Sequence, residues 1–264
     1  MMSWERINAN MRRMTLPYKD IFTTVYLLEG THGFLLFDAA SFPEDIDDIL
    51  LPALSEAGVT RENLKYVFIS HNHRDHAGGL TRLMEFFPST CIVSCSEVLK
   101  EKLAHCPFLM PREGTLLLDC LRVIPIPGHT ADSAALLDIR NNTLITGDCL
   151  QLYGIFGSQD WAANINFPAP HIEAIKRLQA MEIDAIYTAH DYHPFHHFAL
   201  GREAVRAYIQ VCLSPIEDMR RLILEHPEAD NARIRELYNA LDERPTVRVA
   251  VVEAVRRMLS QPEN

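Results

Sequence analysis

Four side chains able to bind a metal fall within six residues, His71-Asn72-His73-Arg74-Asp75-His76. The block follows the apolar run Tyr66-Val67-Phe68-Ile69 and precedes Ala77-Gly78-Gly79. Neutral imidazole nitrogen and carboxylate oxygen are the donors that zinc and similar divalent first-row ions take. The chain holds 12 His in 264 residues, and a chance HxHxDH in it has odds on the order of 1 in 1,000. A solvated polar turn with incidental histidines is the weaker reading of such density.

Three further strand candidates end in a ligand-type residue. Residues 121–126 run through Pro127-Gly128 into His129, 143–146 through Gly147 into Asp148, and 185–188 through Ala189 into His190. A lone loop histidine is ordinarily a polar surface residue. A repeated strand-then-ligand pattern is different, because residues at strand ends of sheet-based enzymes converge on one site.

Other runs rich in β-formers, 23–29, 34–38, 66–69, 91–94, 115–119 and 134–139, predict strands. The Thr31-His32-Gly33 turn signal makes 23–38 an antiparallel hairpin. Helices are expected over 44–57, 79–87, 97–103 and 170–181. In the first, Ile46, Ile49, Leu50 and Leu54 fall at helical spacing and Gly58 stands at the stop. From about residue 196 helical patterns dominate, roughly 199–225, 232–241 and 246–260, punctuated by Pro227 and Pro245. The expected organisation is an α/β body over 1–195 and an all-helical extension over 196–264.

Apolar residues make up 48% and charged residues 23%, which supports a sizeable core and excludes a disordered, collagenous or disulfide-stapled chain. Lys and Arg number 25 against 35 Asp and Glu. The formal charge of −10 repels phosphate backbones and argues against nucleic acid as a partner. No apolar stretch approaches the roughly 18 residues needed to span a bilayer, so no membrane partner is expected. Arg12 and Arg13 have no apolar core behind them, which does not read as an export signal. The six cysteines lack a framework spacing and are expected to be reduced, packed thiols of a cytoplasmic protein, Cys149 beside Asp148 included. The sequence contains no GxSxG elbow, no GxxxxGK[ST] phosphate loop and no GxGxxG fingerprint.

At these residues the chain resembles the metallo-β-lactamase-fold hydrolase superfamily. The HxHxDH block, Pro127-Gly128-His129-Thr130, Thr146-Gly147-Asp148 and Ala189-His190-Asp191 occur in the superfamily's order, and the resemblance covers about residues 20–195. It implies an αββα sandwich: two mixed β-sheets face each other, helices cover their outer faces, and metals sit at one edge. It also implies that His71, His73 and His129 bind one divalent ion, that Asp75, His76 and His190 bind a second, and that Asp148 bridges them. Zinc is the leading choice, with manganese or iron as alternatives. Asp38 resembles an acidic residue that buttresses the ligand loop; an ordinary helix-entry Asp is the other reading. Two such ions would hold a bridging hydroxide at neutral pH and polarise a carbonyl or phosphoryl oxygen. Asp75 would orient that nucleophile and help deliver a proton to the leaving group. Asp75 and Asp148 are therefore the catalytic candidates.

Members of this superfamily hydrolyse β-lactams, thioesters, lactones, phosphodiesters and RNA ends, and some oxidise persulfides, so fold analogy does not choose among them. Exported β-lactamases usually lack the His that follows the motif Asp, present here as His76. No Lys/Arg-rich arm like that of the tRNA-processing nucleases occurs. Flavin-linked diiron reductases have Glu where His73 stands. What remains resembles glyoxalase II and quorum-sensing lactonases. The expected function is a dinuclear metal-dependent hydrolase of a small ester, lactone or thioester. The alternatives are a phosphodiesterase or nuclease with the same site, and a metal-containing binding or signalling protein with little turnover.

Those lactonases place a Tyr three residues after the bridging Asp, where this chain has Gln151; Tyr153 is out of register. The segment 150–170 is apolar and aromatic and is broken by Gly154 and Gly157. It offers Tyr153, Phe156 and Trp161 as walls of a substrate pocket. Packing beneath the helical extension, or a homodimer contact, is the other reading of these aromatics. His193, His196 and His197 read as surface or helix-entry residues. In the extension, Val205, Tyr208, Ile209, Ile216 and Met219 form an apolar stripe suited to core packing. Its arginines, among them Arg220, Arg221, Arg244 and Arg248, read as helix-surface residues or a local anion-binding patch.

Overall fold

In this computed structural model the described residues are 2–156, 158, 161–241 and 246–260, so Gly157, Arg244 and Pro245 lie outside them. The chain opens with β1 (Glu5–Arg6), β2 (Met11–Tyr18), β3 (Ile21–Gly30) and β4 (Gly33–Phe37). A helical crossover follows: α1 (Pro43–Asp45), a π-helical stretch Ile46–Leu50 and α2 (Leu51–Glu56) lead to β5 (Leu64–Phe68). Next come α3 (Arg74–Ala77), α4 (Leu80–Phe86), β6 (Cys91–Val93), α5 (Glu97–Lys102) and β7 (Phe108–Leu109). The second half holds β8 (Leu116–Leu117), β9 (Leu121–Pro125), β10 (Ala134–Asp138), β11 (Thr143–Ile145), α6 (Pro168–Gln179), β12 (Ala185–Tyr192) and β13 (His196–Leu200). Four helices close the chain: α7 (Arg202–Val211), α8 (Ser214–Glu225), α9 (Asn231–Asn239) and α10 (Val249–Ser260).

Two mixed sheets result, one in the order β1-β2-β3-β4-β5-β6-β7 and one in the order β13-β12-β11-β10-β9-β8. The two-residue period of a strand sorts their side chains into layers. Val25 and Leu27 of β3, Leu36 of β4 and Val67 of β5 face outward onto α2 and α4, where they meet Leu54, Leu80 and Leu83. Their neighbours Tyr26, Leu28, Leu35, Phe37 and Phe68 face inward and pack on Leu121, Val123, Leu136 and Ile145 of the other sheet. That second sheet turns Ile124, Leu137, Leu144 and Ile186 outward against Ile175 and Leu178 of α6 and Tyr208 of α7. The middle of each sheet is thus covered on two faces, which is why strands such as β4 and β10 are buried along their length while β2, β9 and β13 alternate. The architecture is the αββα sandwich expected from the sequence.

Several elements depart from the sequence reading; β1 and β7 were not expected, and β13 places a strand of the second sheet at the start of the stretch expected to be all-helical. No strand was expected before residue 23, yet β2 pairs with β3 from Met11↔Leu28 to Tyr18↔Ile21. Arg12, Arg13 and Pro17 mask the signal there, while Met14 and Leu16 are buried with Val25 and Leu27 on the helix-facing side and Tyr18 keeps the alternation. β12 continues past 188 to Tyr192, so His190 lies within a strand. The helix expected over 199–225 is instead the end of β13 followed by α7 and α8, broken at Cys212-Leu213. Pro215 in the first turn of α8 has no N–H to lose and suits a helix start. The last helices form their own apolar cluster, with Ile216, Met219, Leu222, Tyr238, Val251 and Val252 packed around Ala163 and Ile165 of the preceding loop. Among the described residues no helix is long and apolar enough to cross a membrane.

Candidate metal centre

The strand ends deliver the site. Asp38 directly follows β4, Ser70 and His71 follow β5, Asp148 follows β11 through Thr146-Gly147, and His190 lies on β12. β4 runs parallel to β5 and β11 parallel to β12, so in each pair the carboxyl ends point the same way. His73 precedes α3, Asp75 and His76 sit on it, and His129 stands in the loop after β9. Gly147 has φ +52°, and a Cβ there would lie 2.5 Å from Ser70 Oγ. Only glycine lets the Asp148 loop approach the β5 end this closely.

Two donor clusters form. His71 Nε2 and His129 Nε2 each lie 2.9 Å from His73 Nδ1. One ring nitrogen cannot satisfy two others at once, so three lone pairs converge on one point. In the second cluster, His76 Nε2 lies 3.4 Å from Asp75 Oδ2 and 3.3 Å from Asp148 Oδ1. His190 Nε2 lies 3.2 Å from each of the same two oxygens. Asp148 Oδ2 points the other way, 3.7 Å from His129 Nε2. Within each cluster the ligand atoms all lie within 4.8 Å of one another. The structure therefore brings together all seven side chains that the sequence nominated.

The donor set fits divalent cations on two further observations. His76 Nε2 and Asp148 Oδ1 are buried and make no hydrogen bond, a costly arrangement that a coordinated ion relieves. The other nitrogens of the rings are held from outside. His76 Nδ1 donates to Asp38 Oδ2 at 2.7 Å, His129 Nδ1 to the Asn164 carbonyl at 2.9 Å, and His190 Nδ1 to the Phe22 carbonyl. These bonds place the ring proton outside and the lone pair inside, as metal-ligating histidines require. Asp38 also accepts from the Ser70 N–H at 2.8 Å and the Ser70 hydroxyl at 2.9 Å, so it ties β4, β5 and α3 together. Ser70 was missed by the sequence reading; its place between strand and ligand block was the available signal.

Charge tells the same story. Burial drives His129 down to about 4, and His71 well below the ordinary imidazole range, so both rings are neutral near pH 7, the form that can coordinate a metal ion. Burial also opposes the charged form of His190, but Asp148 and Asp75 outweigh it and push His190 up to about 9. His76 is raised by the same carboxylates against the same burial. Asp75 and Asp148 resist burial in turn and are held low by His76 and His190. Two buried carboxylates thus demand positive charge, which protons or divalent ions can supply, and ion binding releases the protons.

A cavity of about 230 Å³ opens beside the clusters, lined by His73, Asp75, His129, Asp148 and His190 on the ligand side. Trp161 forms part of the opposite wall, as the sequence suggested, together with Tyr18, Ile21, Ile155 and Tyr192. Tyr153 and Phe156 are absent from that wall. Phe156 is half exposed and stacks on His193 at 5.6 Å, because its N–H is tied to the Asp191 carbonyl, which holds its ring at the β12–β13 corner. Tyr18, Ile21, Gln151 and Tyr192 were not nominated as wall residues. Tyr18 lies on β2, which was not expected, and Ile21 begins β3 two residues before the expected strand. Gln151 donates toward Asp148 Oδ2 at 3.4 Å and accepts the Asn164 N–H at 2.6 Å, fixing the loop behind His129. Cys149 is buried, and burial first pushes its thiol well above the ordinary range, which suits packing rather than attack. All six cysteines are free.

Comparison with known proteins agrees with this geometry. Residues 18–90 match the family described as the metallo-beta-lactamase superfamily. The chain is 30% identical over 186 residues to the uncharacterized protein YobT of Bacillus subtilis (strain 168), covering 59% of this chain and 76% of that protein. It is 29% identical over 144 residues to a hydroxyacylglutathione hydrolase of Actinobacillus pleuropneumoniae serotype 5b (strain L20), covering 54% of this chain and 57% of that enzyme. The chain thus spans little more than half the length of that hydrolase. Among solved structures, a metallo-beta-lactamase from Pontibacter korlensis superposes with a TM-score of 0.59 at 15% identity, covering 80% of this chain and 99% of that one.

Proposed function

The chain belongs to the metallo-β-lactamase superfamily, and on that premise we propose that it is a metal-dependent hydrolase of small esters, lactones or thioesters. The observation that carries this reading is Asp148. One of its oxygens faces the three-histidine cluster, the other faces the second cluster, and the residue lines the shared cavity. His71, His73 and His129 would hold one divalent ion; Asp75, His76 and His190 would hold the other, with Asp148 shared. Five imidazoles and two carboxylates suit zinc, with manganese or iron as the alternatives.

Bound there, two divalent ions supply Lewis-acid polarisation of the scissile carbonyl and acidify the attacking water. The chain's own residues do the rest. Asp75 lines the cavity, so its carboxylate can orient the water and carry a proton to the leaving group. The outward hydrogen bonds of His76, His129 and His190 keep their lone pairs aimed inward. Ile21, Ile155 and Trp161 cover the far side and limit bulk water, which strengthens the local electrostatics. The hydroxyacylglutathione hydrolase relatives bring thioesters into the expected substrate class. Six free cysteines accord with a reducing compartment, the cytoplasm.

The test is elemental analysis joined to a substrate panel. About two ions per chain are expected, together with chelator-sensitive hydrolysis of esters, lactones or thioesters. A strong preference for bis(p-nitrophenyl) phosphate would reassign the protein to phosphodiester cleavage. Full metal occupancy with no turnover on any of these would point to a binding role.

A further inference from the structure

We propose that Asn166 and His171 are positioning residues that seat His129 on its metal ion, and that through them the helical extension is coupled to the three-histidine site. The inference rests on the metal centre described above and holds whichever bond the protein cleaves.

The bonds that fix His129 run to one distant segment. Its ring Nδ1 donates to the Asn164 carbonyl at 2.9 Å, and its own carbonyl accepts from Asn166 Nδ2 at 2.8 Å. The carbonyl of the preceding Gly128 accepts the Phe167 N–H at 2.9 Å. Ring and backbone of this ligand are therefore tied to residues 164–167, the lead-in to α6, some 35 positions further along the chain. Asn166 is the side chain in that set, and its bond fixes the peptide rather than the ring. It decides where the ligand stands, while the Asn164 carbonyl decides which ring nitrogen carries the proton.

His171, one turn into α6, adds a steric stop. It is 1% exposed, and its Nδ1 is buried without a hydrogen bond. Burial pushes the ring down to about 4, with the Cys212 backbone opposing, so it is neutral near pH 7 and acts by its shape. That shape meets Gly128: a Cβ there would lie 2.3 Å from His171 Nδ1 and 2.8 Å from its Cγ. Only glycine lets the loop before His129 rest on the ring. Cys212, on the ring's other side, is buried at the break between α7 and α8.

The other face of the segment belongs to the extension. Ala163 and Ile165 are each 2% exposed and pack with Ile216, Met219 and Val252, whereas Asn164 and Asn166, between and after them, bond His129. Apolar burial on one side thus fixes hydrogen-bonding groups on the other. A shift of α8 or α10 would move the His129 loop, and an ion held by His129 would resist that shift.

Zinc titration against a competing chromophoric chelator tests the assignment. Asn166→Asp keeps the shape but sets a carboxylate against the His129 carbonyl. It should weaken one of the two ions by about 10–100-fold and leave the other unchanged, in a protein whose metal-free thermal unfolding stays cooperative. In a His129→Ala background the same substitution should cost no further metal affinity, because it acts through His129. Gly128→Ala should weaken the same ion about tenfold, and adding His171→Ala should recover most of that loss by removing the obstacle. By reciprocity, saturating zinc should slow amide exchange in α8 and α10 about tenfold relative to α2 on the other sheet, an excess that Asn166→Asp removes. Unchanged zinc affinity in folded Asn166→Asp overturns the role of Asn166 while leaving the metal centre standing. A further loss in the His129→Ala background also overturns it, since the effect would then be general destabilisation. Gly128→Ala without rescue overturns the role of His171, and equal zinc protection of α2, α8 and α10 overturns the coupling. A wild-type protein that takes up no zinc would sink the metal centre and this assignment together.

Discussion

Replacing Asp38 by asparagine tests whether the metal centre depends on a side chain that touches no substrate. Asp38 is 0% exposed and accepts three hydrogen bonds: from the Ser70 N–H at 2.8 Å, the Ser70 hydroxyl at 2.9 Å and His76 Nδ1 at 2.7 Å. Alanine would strand all three donors, at about 1–3 kcal/mol each and not strictly additive. Against a typical stability of about 5–15 kcal/mol, that change endangers the fold itself. Asparagine is nearly isosteric and sharper as a probe, because its amide group brings a donor where only acceptors stood. If the amide faces Ser70 N–H, one backbone donor is lost at about 1–3 kcal/mol. If it faces His76 Nδ1, the ring proton must move to Nε2, and the lone pair aimed at the metal disappears. Either way the ligand loop shifts or His76 is disabled, and substitutions of such supporting groups weaken metal affinity by about 10–100-fold. The Asp38→Asn protein should therefore fold, keep one ion under mild dialysis and lose the second, as read by elemental analysis beside a thermal denaturation curve. Two tightly held ions in a folded variant would refute the claim that Asp38 sets the His76 tautomer.

Other consequences follow from the same geometry. Asp148→Ala removes the carboxylate shared by both clusters, so metal content and hydrolysis should fall together; metal analysis with retained turnover would contradict this. Chelation should lower the thermal midpoint by roughly 5–15 °C, because ligands held at 100–1,000 times their dissociation constant contribute about 3–4 kcal/mol and each kcal/mol moves a chain of this size by about 2–4 °C. An unchanged midpoint would mean that the clusters do not hold ions. Gly147→Ala forces an L side chain into φ +52° with its Cβ 2.5 Å from Ser70 Oγ. The expected loss is about 2 kcal/mol or more in denaturant unfolding, together with weaker metal binding.

The two donor clusters were legible because the residue types able to hold a metal ion are so few that they show in local sequence. His71, His73, Asp75 and His76 are adjacent, and His129, Asp148 and His190 each belong to a strand-loop pattern. The sandwich was legible for a related reason. Strands buried on both faces, such as β3 and β4, must be apolar throughout. What stayed hidden depended on contacts between distant segments. β2 carries Arg12 and Arg13 because it lies near the sheet edge, where Arg13 can reach Glu5 at 2.8 Å, and that placement is invisible to local periodicity. Phe156 and Trp161 are equally aromatic and five positions apart, yet only Trp161 reaches the cavity, because the Phe156 N–H is tied to the Asp191 carbonyl and its ring stacks on His193.

The helical extension shows the limit most clearly. Its apolar stripe is what any surface helix carries, and its arginines look like ordinary solvated charge. Neither pattern says which residues of the body it covers. Burying Val247, Val251 and Val252 against Ala163 and Ile165 brings Thr246 and Arg248 to the cavity edge. The driving force is apolar area, which is non-directional, but the residue delivered is charged and directional. Selectivity on this scaffold therefore need not be written near the metal ligands. A helical segment added far along the chain can alter the charge of the pocket while His71 to His76 stay fixed, so proteins with the same seven ligands can differ in the substrates they accept.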